Sequence, residues 1–184
     1  MSLLSESLVE EWLNRAGYFT IRGVRYGVSE MDLLAVRHTA QGIEAKHVEV
    51  QISTNPISYI SPLTDEQCKV LGKKRASAWA RPSDVLERSV STWLNKKFYS
   101  RSKEAARERA WPGLEWSLEF VHGQVKHQVE LEAIRAGGIK TISFFTVLSS
   151  LCHDPIVAHK GGAGTDIAEM LSYYVRYKES HNID

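Results

Sequence analysis

The chain is short of cysteine, of long apolar runs and of net charge. Its two cysteines, Cys68 and Cys152, lie far apart and outside any CxxC pair, which excludes a disulfide framework or a clustered zinc site as the organising device and fits a reducing compartment. No stretch approaches the roughly 18 apolar residues that cross a bilayer, and Met1 to Glu11 is acidic where a signal peptide would be basic. The expectation is a cytoplasmic protein with no membrane partner. Internal repeats, coiled-coil heptads and low-complexity tracts are absent.

What is present is enough for one core. With 184 residues, 43% of them hydrophobic and 24% charged, the chain reads as a single globular domain spanning 1–184 rather than two domains or a disordered segment. The net charge of +1 is unevenly distributed. Lys69 to Arg109 holds 12 basic against four acidic residues, a local +8 that leaves −7 for the rest. Such asymmetry fits either a solvated helical face or a surface for polyanions beside a region of concentrated carboxylates.

Leu4, Leu8, Trp12 and Ala16 recur at helical spacing, with Ser2 or Ser5 as N-cap and Gly17 as C-cap, so residues 3–16 read as a helix. Three strands follow, at 18–26, 30–37 and 44–53, the last two joined by a turn over residues 39–42. Residues 53–62 read as a loop. A basic helical insertion occupies about 65–110, broken near Pro82, where Ser83 or Asp84 could cap. A strand over 114–121, a short helix over 128–136 and an interior strand over 140–148 come next, the last because Ile142 to Leu148 is almost continuously apolar. A C-terminal helix over about 165–180, starting at Thr165 or Asp166, offers Ile167, Met170, Leu171 and Tyr174 to core or interface. The order implies an α/β domain with a mixed sheet flanked by helices.

A turn centred on Ala40 and Gln41 sets Asp32 across from Glu49, and strand alternation puts His47, Glu49 and Gln51 on one face and Lys46, Val48, Val50 and Ile52 on the other. Two carboxylates roughly 5 Å apart across neighbouring strands destabilise a sheet unless positive charge lies between them. A divalent cation held by hard oxygens, Mg²⁺ or Mn²⁺, is the expected occupant.

Here the sequence resembles the PD-(D/E)XK nuclease superfamily, through Ser29-Glu30-Met31-Asp32 and Glu49-Val50-Gln51 and the order helix, three strands, helix, strand, over roughly residues 3–148. The run Ser5 to Val9, continuing to Ala16-Gly17-Tyr18, resembles the first helix of Mrr-like members, with Glu6 matching the Glu that often completes the metal site. Gln51 stands where Lys is usual, as in some active restriction enzymes, and Met31 where Pro is common. The resemblance implies a restriction endonuclease-like αβββαβ core and a metal-dependent DNA endonuclease in which Asp32, Glu49 and Glu6 bind the metal, the Val50 carbonyl adds a ligand, and Gln51 orients a water. The alternative is an inactive nuclease-fold module that binds nucleic acid or a protein. Many members act as dimers, so a homodimer is also implied.

Lys46 or a residue of the basic helices would supply the charge that Gln51 lacks. Nucleic-acid contacts are expected from Lys69, Lys73, Lys74, Arg75, Arg81, Lys96, Lys97 and Arg101, where basic residues interleave with Trp79. Arg101, Lys103, Arg107 and Arg109 pair with Glu104 and Glu108 at i,i+4-type spacings, so solvated helix support explains much of that stretch, and His47 reads as a neighbour that tunes the site. Residues 161–165 read as a flexible loop rather than an anion site, and Cys152-His153-Asp154 as a turn.

Overall fold

In a computed structural model, which describes residues 2–27, 29–153 and 164–181, helix α1 spans Ser2–Arg15. It closes at Gly17, whose φ of 85° lies in the left-handed region that favours glycine. Its buried stripe is Leu8, Val9 and Leu13 with Trp12 partly covered, while Leu4 and Ala16 of the expected stripe are exposed.

Strands β1 (Phe19–Tyr26), β2 (Ser29–Thr39) and β3 (Gly42–Gln51) form an antiparallel meander. The β2–β3 pairs run from Thr39↔Gly42 to Leu33↔Val48, every pair summing to 81 as the expected turn requires. The β1–β2 ladder skips one position between Arg22↔Leu33 and Val24↔Met31. That position sets Gly23, at φ 65°, opposite Asp32, so the pairing opens where the candidate carboxylate sits.

The loop after β3 is pinned by an isolated bridge between Ile57 and Val125. Helix α2 (Asp65–Leu71) starts with a capping box in which Thr64 and Gln67 bond each other's backbone. Helix α3 (Ser83–Leu94) follows Pro82 without a side-chain cap, since Ser83 Oγ bonds Glu87 instead; the expected Ser83 or Asp84 cap is not formed. A π-helical turn (Asn95–Tyr99) carries α3 on toward α4 (Arg101–Ala110), with Ser100 extended between them. Strand β4 (Trp116–His122), helix α5 (Gln128–Ala136) and strand β5 (Lys140–Ser143) complete a five-stranded mixed sheet in the order β1-β2-β3-β4-β5, the last two pairings parallel.

The expected strand over 140–148 ends at Ser143, and Phe144–His153 is helix α6. Ser143 Oγ accepts the Thr146 N–H at 3.2 Å, as an N-cap does. Phe144, Val147, Leu148 and Leu151 pack inward at helical spacing while Phe145 is 78% exposed. Periodicity of 3.6, hidden inside an apolar run, overrides the strand reading. Cys152 and His153 belong to the last turn of α6 rather than to a turn of their own; Asp154 lies outside the described residues, as do residues 161–163. Helix α7 (Thr165–His181) begins against α1, where a Cβ on Gly164 would meet the Ser7 carbonyl oxygen at 2.3 Å. Ile167 and Leu171 join the core, and Met170 and Tyr174 face outward. Among the described residues no helix is long and apolar enough to cross a membrane.

The sheet is covered on both faces. One side buries Leu33, Ala35, Val48 and Val50 against α1, α6 and α7. The other carries two apolar patches: Phe98, Phe120, Trp93, Leu131 and Ile134 under α3 and α5, and Met31, Leu34 and Ala106 under α4. Each fully buried large side chain contributes roughly 1.5–3 kcal/mol. Between those two patches lies a strip that is buried and charged.

Candidate active site

Strand parity sends Val48 and Val50 to the apolar side and His47 and Glu49 to the charged strip, both carboxylate and imidazole fully buried. A buried carboxylate needs charge and hydrogen bonds together. Glu49 receives both: Lys97 Nζ donates to Oε2 at 2.6 Å, Lys103 Nζ to Oε1 at 2.7 Å, and His47 Nε2 meets Oε1 at 3.0 Å. Arg107 fixes the tautomer of His47. A guanidinium only donates, so His47 Nδ1, 3.0 Å from Arg107 NH1, accepts, and the ring proton sits on Nε2 facing Glu49. Burial holds the His47 pKa below its usual value against the pull of Glu49, consistent with a neutral ring.

Asp32 comes from the neighbouring strand at the next step of the register. Its Oδ2 accepts the backbone N–H of Val50 at 2.7 Å, which ties the tip of β2 to β3 where their ladder ends. Burial first, then the charge of Glu49, raises the Asp32 pKa to about 6; Glu6 on α1 adds to the rise, and Lys97 and the Val50 N–H oppose it. Burial also pushes Glu49 upward, yet the His47 hydrogen bond and the Lys97 and Lys103 charges outweigh it and hold Glu49 down at about 2. Lys97 is raised despite its desolvation, by Glu49, Asp32 and Glu6. Glu6, Asp32, Glu49 and Lys97 therefore share one electrostatic field, contributed by α1, β2, β3 and the π-helical turn.

The positive charge expected between the carboxylates is thus supplied by lysines. Lys46, considered for that role, lies on the opposite face, bonded to Glu119 at 2.6 Å and over the Tyr18 ring. Lys103 and Arg107 are not solvated support for Glu104 and Glu108. They are buried, Lys103 on Glu49 and the Glu30 carbonyl and Arg107 on His47 and the Phe98 carbonyl. Sequence reasoning missed them because the i,i+4 acid–base pattern on α4 has an exposed explanation. The available signal was their own spacing, four apart and flanking Ala106, which faces Met31 and Leu34.

Gln51, two residues beyond Glu49, lines a cavity of about 620 Å³ together with Lys97, Lys96, Arg81 and Arg75. Among the described residues no acidic side chain lines it. Of the eight expected nucleic-acid ligands, four meet here. Lys69, Lys74 and Arg101 are exposed elsewhere and Lys73 lies over the Trp79 ring.

Among the described residues no group of three or more His, Cys, Asp and Glu side chains is arranged to hold a metal ion. The donors at hand are the Asp32 and Glu49 carboxylates with Glu6 near them, a hard-oxygen set that suits Mg²⁺ or Mn²⁺. Glu49 is already bonded by three donors, of which Lys97 is 30% exposed and Lys103 only 4%. Asp32 and Glu49 are the residues that would hold such a cation, and of Glu49's two ammonium partners Lys97 is the one open to solvent.

No family model matches the chain, and no curated protein matches it. A solved structure described as the crystal structure of a protein of unknown function, AF1548, is similar at a TM-score of 0.48 and 14% identity, covering 96% of this chain and 78% of that one.

Proposed function

We propose that the protein is a metal-dependent DNA endonuclease with a restriction endonuclease-like core, hydrolysing phosphodiester bonds at Asp32, Glu49 and Gln51. The observation that carries this reading is the common field of Glu6, Asp32, Glu49 and Lys97, opening through Gln51 and Lys97 onto a basic cavity with no acid among the described residues of its wall. The order of one helix, an antiparallel meander, helices and a parallel fourth strand supports the core assignment. Asp32 and Glu49, with Glu6 beside them, would hold Mg²⁺ or Mn²⁺, which supplies a water of lowered pKa and neutralises charge developing on the phosphoryl oxygens. Gln51 orients that water by hydrogen bonding. Lys97, once released from Glu49, takes up the role of the Lys absent at position 51, its ammonium pairing with a non-bridging phosphate oxygen.

A second reading has its own observation. Glu49 is saturated by Lys97, Lys103 and His47, which is how a decayed site, kept for fold and binding alone, would satisfy a buried carboxylate. Incubation of supercoiled plasmid and of single-stranded DNA with Mg²⁺ or Mn²⁺ separates the two. Nicking that disappears in Asp32→Asn, with the variant folded, is expected of the nuclease. DNA binding without cutting under either metal would favour the inactive module.

A further inference from the structure

Gln51 stands at the edge of a concave, half-open cavity. Its wall is rigid: the buried Glu130 carboxylate receives the Ile60 N–H at 2.7 Å, the Ser61 N–H at 2.8 Å and the Ser61 hydroxyl at 2.5 Å. The Ile57–Val125 bridge anchors the start of the same segment. Across from it stand Thr92 and Lys96, one turn apart on α3 and the π-helical turn. Its volume of about 620 Å³ is that of a small-ligand site. Arg81 gives the wall a half-buried cation. Its NH1 donates to the Ser61 carbonyl at 2.8 Å, its guanidinium lies 3.9 Å from the Tyr59 ring centre, and its buried Nε has no partner.

We propose that this cavity seats one nucleotide of the substrate, immediately beside the scissile phosphate and held through phosphate and sugar, so that the preferred substrate is DNA in which that nucleotide is unpaired. The inference rests on the nuclease reading for the position of the scissile bond. A duplex keeps its bases stacked inside and shows a convex backbone, so a concave pocket is filled by a nucleotide at a strand end or out of the stack, and pulling one out of a duplex costs a few kcal/mol. Arg75, Arg81, Lys96 and Lys97 supply anion recognition. Base identity is not read by stacking on Tyr59, because Arg81 covers one face of that ring and His127 stacks at 4.4 Å on the ring as well. Trp93 is packed edge-on against Phe98 and Phe120 in the core. The pocket therefore offers a nucleotide no free aromatic face, and its hold is through phosphate and sugar.

The test is equilibrium binding by the full chain in EDTA, with a 5′-phosphorylated single strand of about 20 nucleotides and the blunt duplex it forms with its complement as probes. The parent is expected to bind the single strand at least about tenfold more tightly, and Thr92→Trp, which fills the cavity, to erase that preference while leaving duplex affinity within about twofold. Lys96→Gln removes one phosphate contact without filling space, and is expected to weaken single-strand binding and reduce its salt slope by about one charge. Equal affinity for both probes, or a preference that survives both folded variants, would overturn the proposal. Because binding is read without metal, the nuclease reading stands or falls separately. A preference without cleavage keeps the pocket and rejects catalysis, whereas cleavage of intact duplex without preference keeps catalysis and rejects the pocket.

Discussion

The two faces of the sheet bury comparable amounts of strand by opposite means. On one, Leu33, Ala35, Val48 and Val50 meet α1, α6 and α7 through apolar contact, with the Lys46–Glu119 and Arg15–Glu11 pairs set beside that packing. On the other, His47 and Glu49 from the same strand β3 are equally buried, and their neighbours are Lys97, Lys103 and Arg107. Alternating residues of one strand thus pass from a hydrocarbon environment to an ionic one. The apolar side has every reason to exist from stability alone. The ionic side does not, because replacing a buried ion network with packed apolar groups is often neutral or stabilising. A costly arrangement of this kind at one end of a basic cavity is where function is to be sought.

The comparison can be broken by substitution, and the largest effect on stability is expected at its charged centre. Glu49→Ala leaves the ammonium of Lys103, whose side chain is 4% exposed, without its counterion and should cost about 3–5 kcal/mol in urea unfolding. Val48→Ala, next to it but on the apolar face, should cost about 2 kcal/mol through lost burial and a partly collapsed cavity. Its cost should be the same at pH 3 and pH 8, whereas that of Glu49→Ala should shrink as pH falls from about 4.5 toward the Glu49 pKa of about 2.

Asp32→Asn should act in the other direction. The Asp32 carboxyl keeps its proton up to about pH 6 when folded but only to about 3.8 in its ordinary state. Between those values the native state holds the extra proton, so this group's contribution to stability falls as pH rises from about 4 to 6 and stays lowered above. The Asn variant should therefore gain about 1–2 kcal/mol at pH 7, with the gain vanishing below pH 4. A loss of stability at pH 7 would show that the ionised Asp32 is not disfavoured by burial and by Glu49. The smallest stability effect is expected of Lys97→Met, about 1 kcal/mol: Glu49 Oε2 loses the Lys97 ammonium, while Lys103 and His47 still hold Oε1 and the lost side chain, 30% exposed, leaves room for water to reach Oε2.

Much of the frame was legible because local rules and tertiary structure agree there. The Thr39–Gly42 turn set the β2–β3 register, and with it the facing of Asp32 and Glu49 and the split between His47 and Val48. The bounds of α5 follow from its periodicity and the two glycines after it. Helix α6 was not legible as a helix, since a run of seven residues with five apolar ones satisfies both periods until one knows that Phe145 is left outside. In the site, acidic partners came from strands whose geometry is simple, while their cationic partners came from a helical stretch where burial could not be read. Lys97 is placed by a π-helical turn, a local widening that shifts every later side chain and has no pattern in composition. Lys103 and Arg107 are the only long side chains on the buried stripe of α4, where an amphipathic reading looks for apolar residues.

The most direct test of the central claim, that Asp32, Glu49 and Lys97 form one catalytic cluster, is plasmid nicking by Lys97→Met beside the parent protein, with Mg²⁺ or Mn²⁺ and both proteins shown to be folded. Parent nicking that falls by about a hundredfold or more in the variant, with the melting temperature nearly unchanged, is the predicted result. Equal nicking by the two proteins would contradict the role of Lys97, and a parent that nicks with neither metal would contradict catalysis at this site.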